Sequence, residues 1–442
     1  MGTHLFTFSV IIPTLNEELC IADCINHLRT LNPEIEIIVA DGGSTDATLT
    51  IAESLGATVL TTARGRGYQL NAGADRAKGD IFLFLHADTR LPDDAFFSLS
   101  DFFSDQRVQI GIFRLALDIS HWILKWYTFC SRFDSVFTRF GDHCIIVRRG
   151  FFYRIAGYPN WPLFEEVKFL QKARVLTKIH LLPKTAVTSA RRFVQNGIVR
   201  QYFFDAKIMC LYLLGKSPYE LAQMYTARKK KNHTAIILFA RYPVPGKVKS
   251  RLAKTKGKRY AALVYKRIAE KAFRTARSIS NTGLIRYIFV ADSDTVKKTC
   301  RWARSGFLCL SQTGHDLGQR MEHALCRVFS YGAEKVVIVG TDIPDLSRDI
   351  IENALRLLDS HQIVLGPTHD GGYYLLGMKK MYRELFRNIP WSTPDVLPAT
   401  LSRIENLKAA SARLPLLRDI DTEEDLKKWK EDKTHAYSSS GQ

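Results

Sequence analysis

The sequence predicts the α/β class, as two tandem, doubly wound units with mostly parallel sheets. Three observations carry this. Residues 81–88, IFLFLHAD, run apolar without alternation and stop at His86-Ala87-Asp88. Such a run reads as a strand buried on both faces. The same construction returns as VVIVGTD at residues 336–342. Between runs of this kind lie stretches with helical apolar spacing, the alternation that builds right-handed βαβ units. At 442 residues the chain is long for one domain. We read residues 1–226 as the first domain, 227–233 as a basic linker, 234–432 as the second domain and 433–442 as a disordered tail.

Composition narrows the class. Hydrophobic residues make up 46% and charged residues 24%, which describes a globular protein with a sizeable core. The formal net charge of +19 points to anionic partners, either nucleotides or a phospholipid surface. Nucleic acid is set aside, because the cationic run Arg228-Lys229-Lys230-Lys231 has no interleaved aromatics. A solvated linker is its default reading, with anionic lipid contact as the alternative. Eight cysteines without a CxxC pair suit the reduced thiols of a cytoplasmic protein. Residues 6–13 read as a strand rather than a signal peptide, and no window reaches the roughly 18 apolar residues of a membrane span. Residues 202–214 come nearest, but carry Asp205 and Lys207. Packing on the sheet is the preferred reading of that stretch, and peripheral membrane contact the alternative.

In order, residues 8–13 form a buried strand that leads into Thr14-Leu15-Asn16-Glu17, followed by a helix over 18–30. A second strand, 35–40, ends in Asp41-Gly42-Gly43-Ser44-Thr45-Asp46, with Ser44 or Asp46 as helix N-cap. A third strand spans 58–61, and Gly65-Arg66-Gly67 opens a helix carrying Gln69 and Asn71 before the strand 81–88. Open α/β sheets bind ligands at the carboxyl ends of their strands. Asn16, Glu17, Asp41 and Asp88 gather there, suited to a ribose, a base and a divalent cation. Singly, Asp41 is also a good turn residue and Asn16 a helix cap.

These pieces resemble the family 2 glycosyltransferases of the GT-A fold. The resemblance rests on residues 9–17 (SVIIPTLNE), 39–46 (VADGGSTD), His86-Ala87-Asp88, Gly141-Asp142-His143 and Pro162-Leu163-Phe164-Glu165-Glu166-Val167, and it covers about residues 6–225. In detail the chain is similar to a bacterial subgroup associated with radical-SAM/selenodomain clusters, or with arsenosugar biosynthesis. The resemblance implies a Rossmann-like, nucleotide-diphospho-sugar transferase fold, a nucleotide-sugar donor, a small-molecule acceptor and inversion at the sugar. It implies that Pro13, Asn16, Glu17 and Asp41 bind the nucleotide, and that Asp88 holds Mg²⁺ or Mn²⁺ on the diphosphate. Arg66 would add positive charge there. His86 stands where the family has the first acid of its DxD motif, a departure that bears on metal affinity and the ribose contact, and it is counted among the nucleotide-sugar-binding residues. Glu165-Glu166 stands where it has Glu-Asp, so Glu166 would be the base that takes the acceptor's proton. An exposed acidic loop is the other reading of that pair. Arg191 and Arg192 would reach phosphate or a lipid head group.

The second domain opens with a buried strand, 234–240, and the loop Arg241-Tyr242-Pro243-Val244-Pro245-Gly246-Lys247, followed by Lys249 and Arg251. With its cations outward the loop suits a phosphate cradle, or a plain basic surface. A helix over 259–279 and a strand over 284–291 follow. Asp342 repeats the strand-end placement of Asp88, and Asp370-Gly371-Gly372 lets backbone approach a ligand closely. Residues 234–430 resemble a second bacterial family, itself similar to the nucleotidyltransferases that activate molybdopterin, phospholactate and sugar phosphates. Residues 419–426 (DIDTEEDL) match its closing segment. The resemblance implies metal-dependent nucleotidyl or glycosyl transfer on Asp342, with a nucleoside triphosphate as substrate. The opening GxGxRM of those enzymes is missing, with a phosphate loop over 239–252 instead, which leaves the donor and the reaction class open; a non-catalytic nucleotide-binding module is the alternative.

Overall fold

In the computed structural model, which describes residues 6–133, 143–226, 232–281 and 283–439, the apolar runs build two sheets. In the first, β1 (Phe8–Thr14), β2 (Glu36–Asp41), β3 (Thr58–Thr61) and β4 (Ile81–Phe84) are parallel. Joined by β5 (Thr89–Arg90), β6 (Ile110–Leu117), β7 (Ile145–Arg148) and β8 (His180–Thr188), they follow the order β3-β2-β1-β4-β7-β6-β8-β5 among the described residues. The second sheet comprises β9 (His233–Ala240), β10 (Leu284–Val290), β11 (Leu308–Ser311), β12 (Ala333–Gly340), β13 (Ile363–Pro367), β14 (Tyr373–Met378) and β15 (Ser411–Arg413), in the order β11-β10-β9-β12-β14-β13-β15. The sheets belong to two compact units, Met1–Lys230 and Lys231–Gln442.

Leaving aside the two-residue β5, both sheets place their strands third, second, first, fourth, sixth, fifth, seventh. The senses agree as well. In each, the sixth strand is antiparallel to both the fourth and the fifth, and the seventh is parallel to the fifth. One topology is therefore used twice. In each unit the strand order reverses between the parallel first and fourth strands, the switch point where doubly wound sheets open a binding crevice.

The unbroken apolar runs have the predicted cause. On β1, Val10 and Ile12 face one core while Ile11 faces another, and on β4 Leu83 and Phe82 divide in the same way. Helix Ile21–Leu31 covers the first face, and helices Arg66–Arg76 and Glu165–Leu176 cover the second. Burying each such side chain contributes about 1.5–3 kcal/mol.

Three expectations change. The strand predicted for 81–88 stops at Phe84, because Thr89 N–H donates to His86 O (3.0 Å) and folds 86–89 into a turn. Asp88 sits within that turn, still at the carboxyl edge of β4. Residues 433–439, read as disordered, continue the helix Glu423–Ser439. Its first turn carries Glu423, Glu424 and Asp425, where the helix dipole favours acids, and Trp429 Nε1 donates to Asp345 (2.8 Å). Third, residue 249 turns inward, as described below. Gly141, Asp142, residues 227–231 of the basic run and residues 440–442 lie outside the described residues.

Candidate active site

The ends of β1 and β2 are tied together before any ligand is considered. Asp41 is fully buried. Its carboxylate accepts from Thr14 Oγ1 (2.9 Å), Ser44 Oγ (2.5 Å) and the Gly43 and Ser44 N–H groups (2.8 and 2.7 Å). Burial pushes this carboxyl up, but the hydrogen bonds outweigh it and hold it below the usual carboxylate range. Asn16, at φ 56°, ties the two loops: its N–H donates to Ser44 Oγ (2.7 Å) and its Oδ1 accepts from Thr45 N–H (2.8 Å). Gln69, on the helix opened by Gly65, donates to both Thr14 O (2.7 Å) and Ala40 O (2.8 Å). Pro13 stands half-buried on β1 beside these loops.

The β4 turn and the loop after β8 meet on Glu17. Arg191 forks onto the Glu17 carboxylate at 2.8 and 2.7 Å, and its Nη2 lies 3.5 Å from Asp88 Oδ2. Burial opposes the charge on Arg191, but Glu17 and then Asp88 outweigh it and keep the guanidinium firmly protonated. The far side of Asp88 faces Thr188 Oγ1 at 3.4 Å. Arg191, expected to reach phosphate, is thus held between two carboxylates. Sequence spacing gave no sign of this pairing, since the partners lie far apart along the chain.

The third component is the entrance of helix Glu165–Leu176. Phe164, in the left-handed region (φ 66°), stacks on Tyr212 at 4.2 Å and turns the chain into the helix. Glu165 and Glu166 fill the first turn, favoured there by the helix dipole. Both are buried, at 2% and 7% exposure, so the exposed-loop reading does not hold. Arg66 Nη1 lies 3.6 Å from Glu165, and its Nη2 stands 2.8 Å from His86 Nδ1 and 3.1 Å from Nε2. His86 Nε2 in turn faces Glu166 Oε1 at 3.4 Å. A guanidinium only donates, so the closer contact makes Nδ1 the acceptor and assigns the ring proton to Nε2, toward Glu166. Burial, with Glu166 adding to it and Arg66 opposing it, pushes Glu165 up to about 6.

Sequence reasoning missed Tyr158. Its hydroxyl is buried without a hydrogen-bond partner. Burial, then Glu166 and Glu165, drive the phenol well above its usual range. Asn71 fixes that segment, donating to Tyr158 O (2.9 Å) and accepting from Tyr158 N–H (3.0 Å). Gly67 lets the Arg66 helix approach it: a Cβ there would stand 2.1 Å from Pro159 O.

Among the described residues no three His, Cys, Asp or Glu side chains gather as metal ligands. What stands at the crevice is the Asp88 carboxylate, whose oxygens also face Arg191 (3.5 Å) and Thr188 (3.4 Å). That donor set fits a hard cation that arrives with a diphosphate and keeps water among its ligands, as Mg²⁺ does.

In the second unit, Asp342 follows β12 as Asp88 follows β4. Lys249, at φ 47°, is buried and reaches Asp342 (3.1 Å) and Asp421 (2.6 Å). Burial opposes its charge, but Asp342 and Asp421 outweigh it and raise the ammonium well above its usual value. This corrects the outward placement read from the loop, where neither acid is near in sequence. Arg241 turns back to Lys247 O (3.1 Å) and lies 3.8 Å from Asp292, at the end of β10, while Lys247 and Arg251 are exposed. Arg251 remains 3.9 Å from Asp421. Burial, then Asp370, Asp342 and Asp421, with Lys249 opposing, push Asp419 up to about 6. Asp370 Oδ1 accepts from Gly372 N–H (3.1 Å). Gly371 (φ 87°) does allow a close approach, but to the chain's own backbone: a Cβ would stand 2.2 Å from Pro394 O.

Residues 9–156 match the family described as Glycosyl transferase family 2, and residues 275–393 match one described as an uncharacterized protein conserved in bacteria (DUF2064). The chain is 38% identical over 86 residues to protein RfbJ of Shigella flexneri, covering 19% of this chain and 67% of that protein. It is 39% identical over 92 residues to a PGL/p-HBAD biosynthesis glycosyltransferase of Mycobacterium bovis, covering 19% of this chain and 36% of that enzyme. The match therefore spans little more than a third of the mycobacterial enzyme. A solved structure from Desulfovibrio desulfuricans, described as a nucleotide-diphospho-sugar transferase, is 32% identical, covering 43% of this chain and 83% of that one, with a TM-score of 0.41.

Proposed function

Because the chain belongs, through its N-terminal unit, to glycosyl transferase family 2, we propose that this unit transfers a sugar with inversion from a nucleotide-sugar donor to the hydroxyl of a small-molecule acceptor. The observation that carries the reading is the convergence of Asp88 and the Arg66–His86–Glu166 chain at the switch point between β1 and β4. In this account Pro13, Asn16, Glu17 and Asp41 shape the nucleoside pocket. Asp88 would hold Mg²⁺ or Mn²⁺, which when bound neutralises the leaving diphosphate. Glu166 accepts the acceptor's proton as its oxygen attacks the anomeric carbon and the bond from that carbon to the diphosphate breaks. His86 orients Glu166 through Nε2, and Arg66 lends positive charge beside both. The radical-SAM/selenodomain-associated or arsenosugar-type subgroup is the closer placement we propose, on the residues quoted for it.

For the second unit we propose a second nucleotide site, on its repeat of the first unit's strand order and on Asp342 at the same strand end. Activation of a sugar phosphate by a nucleoside triphosphate is the reading we favour, with Asp342 on the cation and Arg241, Lys247, Arg251 and the 370–372 turn toward the phosphates. A non-catalytic nucleotide-binding module is the second reading, favoured by the ion pairs that Lys249 already makes with both Asp342 and Asp421.

The test uses the full chain. UDP-, GDP- and dTDP-sugars are screened with Mn²⁺ or Mg²⁺ by thermal shift, then by nucleoside diphosphate release. Stabilisation by no pair contradicts the donor assignment. Pyrophosphate release from a triphosphate plus sugar phosphate, lost in Asp342→Ala, supports the active second unit; nucleotide binding without release supports the module.

A further inference from the structure

Two helices of the first unit present their apolar side outward. On Trp122–Cys130 and the turn after it, Ile123 and Leu124 are buried and Tyr127 packs on Phe193 (5.7 Å). The opposite stripe is Trp122, Trp126, Phe129 and Phe133, at 73, 56, 46 and 58% exposure. Their spacing puts all four on one side of a helical path. Trp126 stacks with Phe129 at 5.9 Å, Phe129 meets Phe133 at 5.7 Å, and Arg132 lies over Phe129 at 5.7 Å. The aromatic side chains are thus assembled into a ladder in the protein by itself.

Helix Ile198–Leu213 packs beside it and repeats the pattern. Ile208 and Met209 are buried, and Tyr212 supports Phe164 at the entrance of the Glu165–Glu166 helix. Val199, Phe203, Ala206, Cys210 and Leu213 are exposed along one stripe. A surface helix of a globular protein ordinarily shows the reverse arrangement. Among the described residues of these two helices and the turn after the first, the exposed charges have one sign. Lys125, Arg132, Arg200 and Lys207 are exposed, whereas Asp205 is half-buried and accepts from Gln201 Nε2 (2.7 Å). Tryptophan and phenylalanine on one stripe with lysine and arginine beside them is the composition of helices that lie in a bilayer's head-group region. A partner protein with a complementary apolar patch would not call for the four cations, which no exposed acid accompanies among the described residues of these helices.

We propose that the paired faces of helices Trp122–Cys130 and Ile198–Leu213 dock on the surface of an anionic phospholipid bilayer. The aromatic and aliphatic stripes enter the head-group boundary and the four cations meet lipid phosphates. No helix of the described residues is long and apolar enough to cross a membrane. This revises the sequence reading of residues 202–214: their inner side packs on the unit as preferred, while their outer side joins the lipid face.

Vesicle flotation of the full chain, without donor or acceptor, tests this separately from the transferase reading. With phosphatidylcholine vesicles containing phosphatidylglycerol the protein floats, and neutral phosphatidylcholine alone binds it at least about tenfold more weakly. High salt releases it, and tryptophan emission shifts to the blue on binding. The Trp122→Asp/Trp126→Asp variant loses flotation by about tenfold or more while keeping its circular dichroism spectrum. Lys125→Glu/Arg132→Glu, which leaves the aromatic ladder in place, loses the preference for anionic vesicles. No flotation of the wild-type chain overturns the proposal, as does unchanged flotation of the tryptophan variant. So does a dimer in light scattering that the tryptophan variant dissociates, which would make a second copy the occupant.

Discussion

His86 Nε2 stands 3.4 Å from Glu166 Oε1, linking the turn after β4 to the first turn of helix Glu165–Leu176. The side chain that replaces an acid of the expected motif therefore faces a second acid. Glu166→Gln keeps the size and the His86 contact but cannot take a proton. We expect it to lower the transfer rate by roughly 10²–10⁴-fold, with donor affinity changed little. Single-turnover rates and donor titrations check this; equal loss in both would make Glu166 a donor-positioning residue.

Arg191 joins Glu17 to Asp88. Arg191→Met leaves two largely buried carboxylates facing each other without their cation. Urea melts should show a loss of about 2–4 kcal/mol, and a change below 1 kcal/mol would mean that the fork contributes little to the fold.

Glu165 supplies a pH signature. Its folded carboxyl, pushed from 4.5 to about 6, holds a proton that the unfolded chain has already released. Stability contributed by this group is therefore full below the lower value and declines as pH rises to the upper one. Glu165→Gln removes the decline. The variant's Tm should gain on the wild type between these values, by an equivalent on the order of 1–2 kcal/mol, and run parallel above them. Parallel curves throughout would show that Glu165 is ionised with little penalty.

In the second unit, Lys249→Met removes the ammonium from between Asp342 and Asp421. Those carboxylates are 40% exposed, which screens the loss. We expect about 1–2 kcal/mol less stability, read as a lower Tm in the absence of metal, and no change would argue against Lys249 as the unit's internal counter-ion.

Much of this was legible in the sequence. Unbroken runs such as IIVAD and IFLF declared strands covered on both sides, and the β12 segment repeated that pattern, because burial on two faces leaves no room for alternation. The strand-end acids were legible for the same reason. What failed to show was pairing across distance. Nothing local in the sequence indicates that Arg191 crosses to Glu17 or that Lys249 turns into Asp342 and Asp421, because these contacts depend on which loops the strand order brings together. The orphaned hydroxyl of Tyr158 was equally hidden, since a tyrosine before Pro159 reads as a loop residue. The shared strand order of the two sheets was beyond reach too: it rests on hydrogen-bond pairing, which apolar periodicity does not encode.

The central claim is that Asp88 grips a cation against the donor diphosphate. Nucleoside diphosphate release from the nucleotide sugar that most stabilises the full chain, measured with Mn²⁺ for the wild type and Asp88→Ala, tests it most directly. The account predicts a fall on the order of 10²-fold or more, with an unchanged circular dichroism spectrum and loss of the Mn²⁺ dependence. Release at the wild-type rate, with its Mn²⁺ dependence intact, would contradict it.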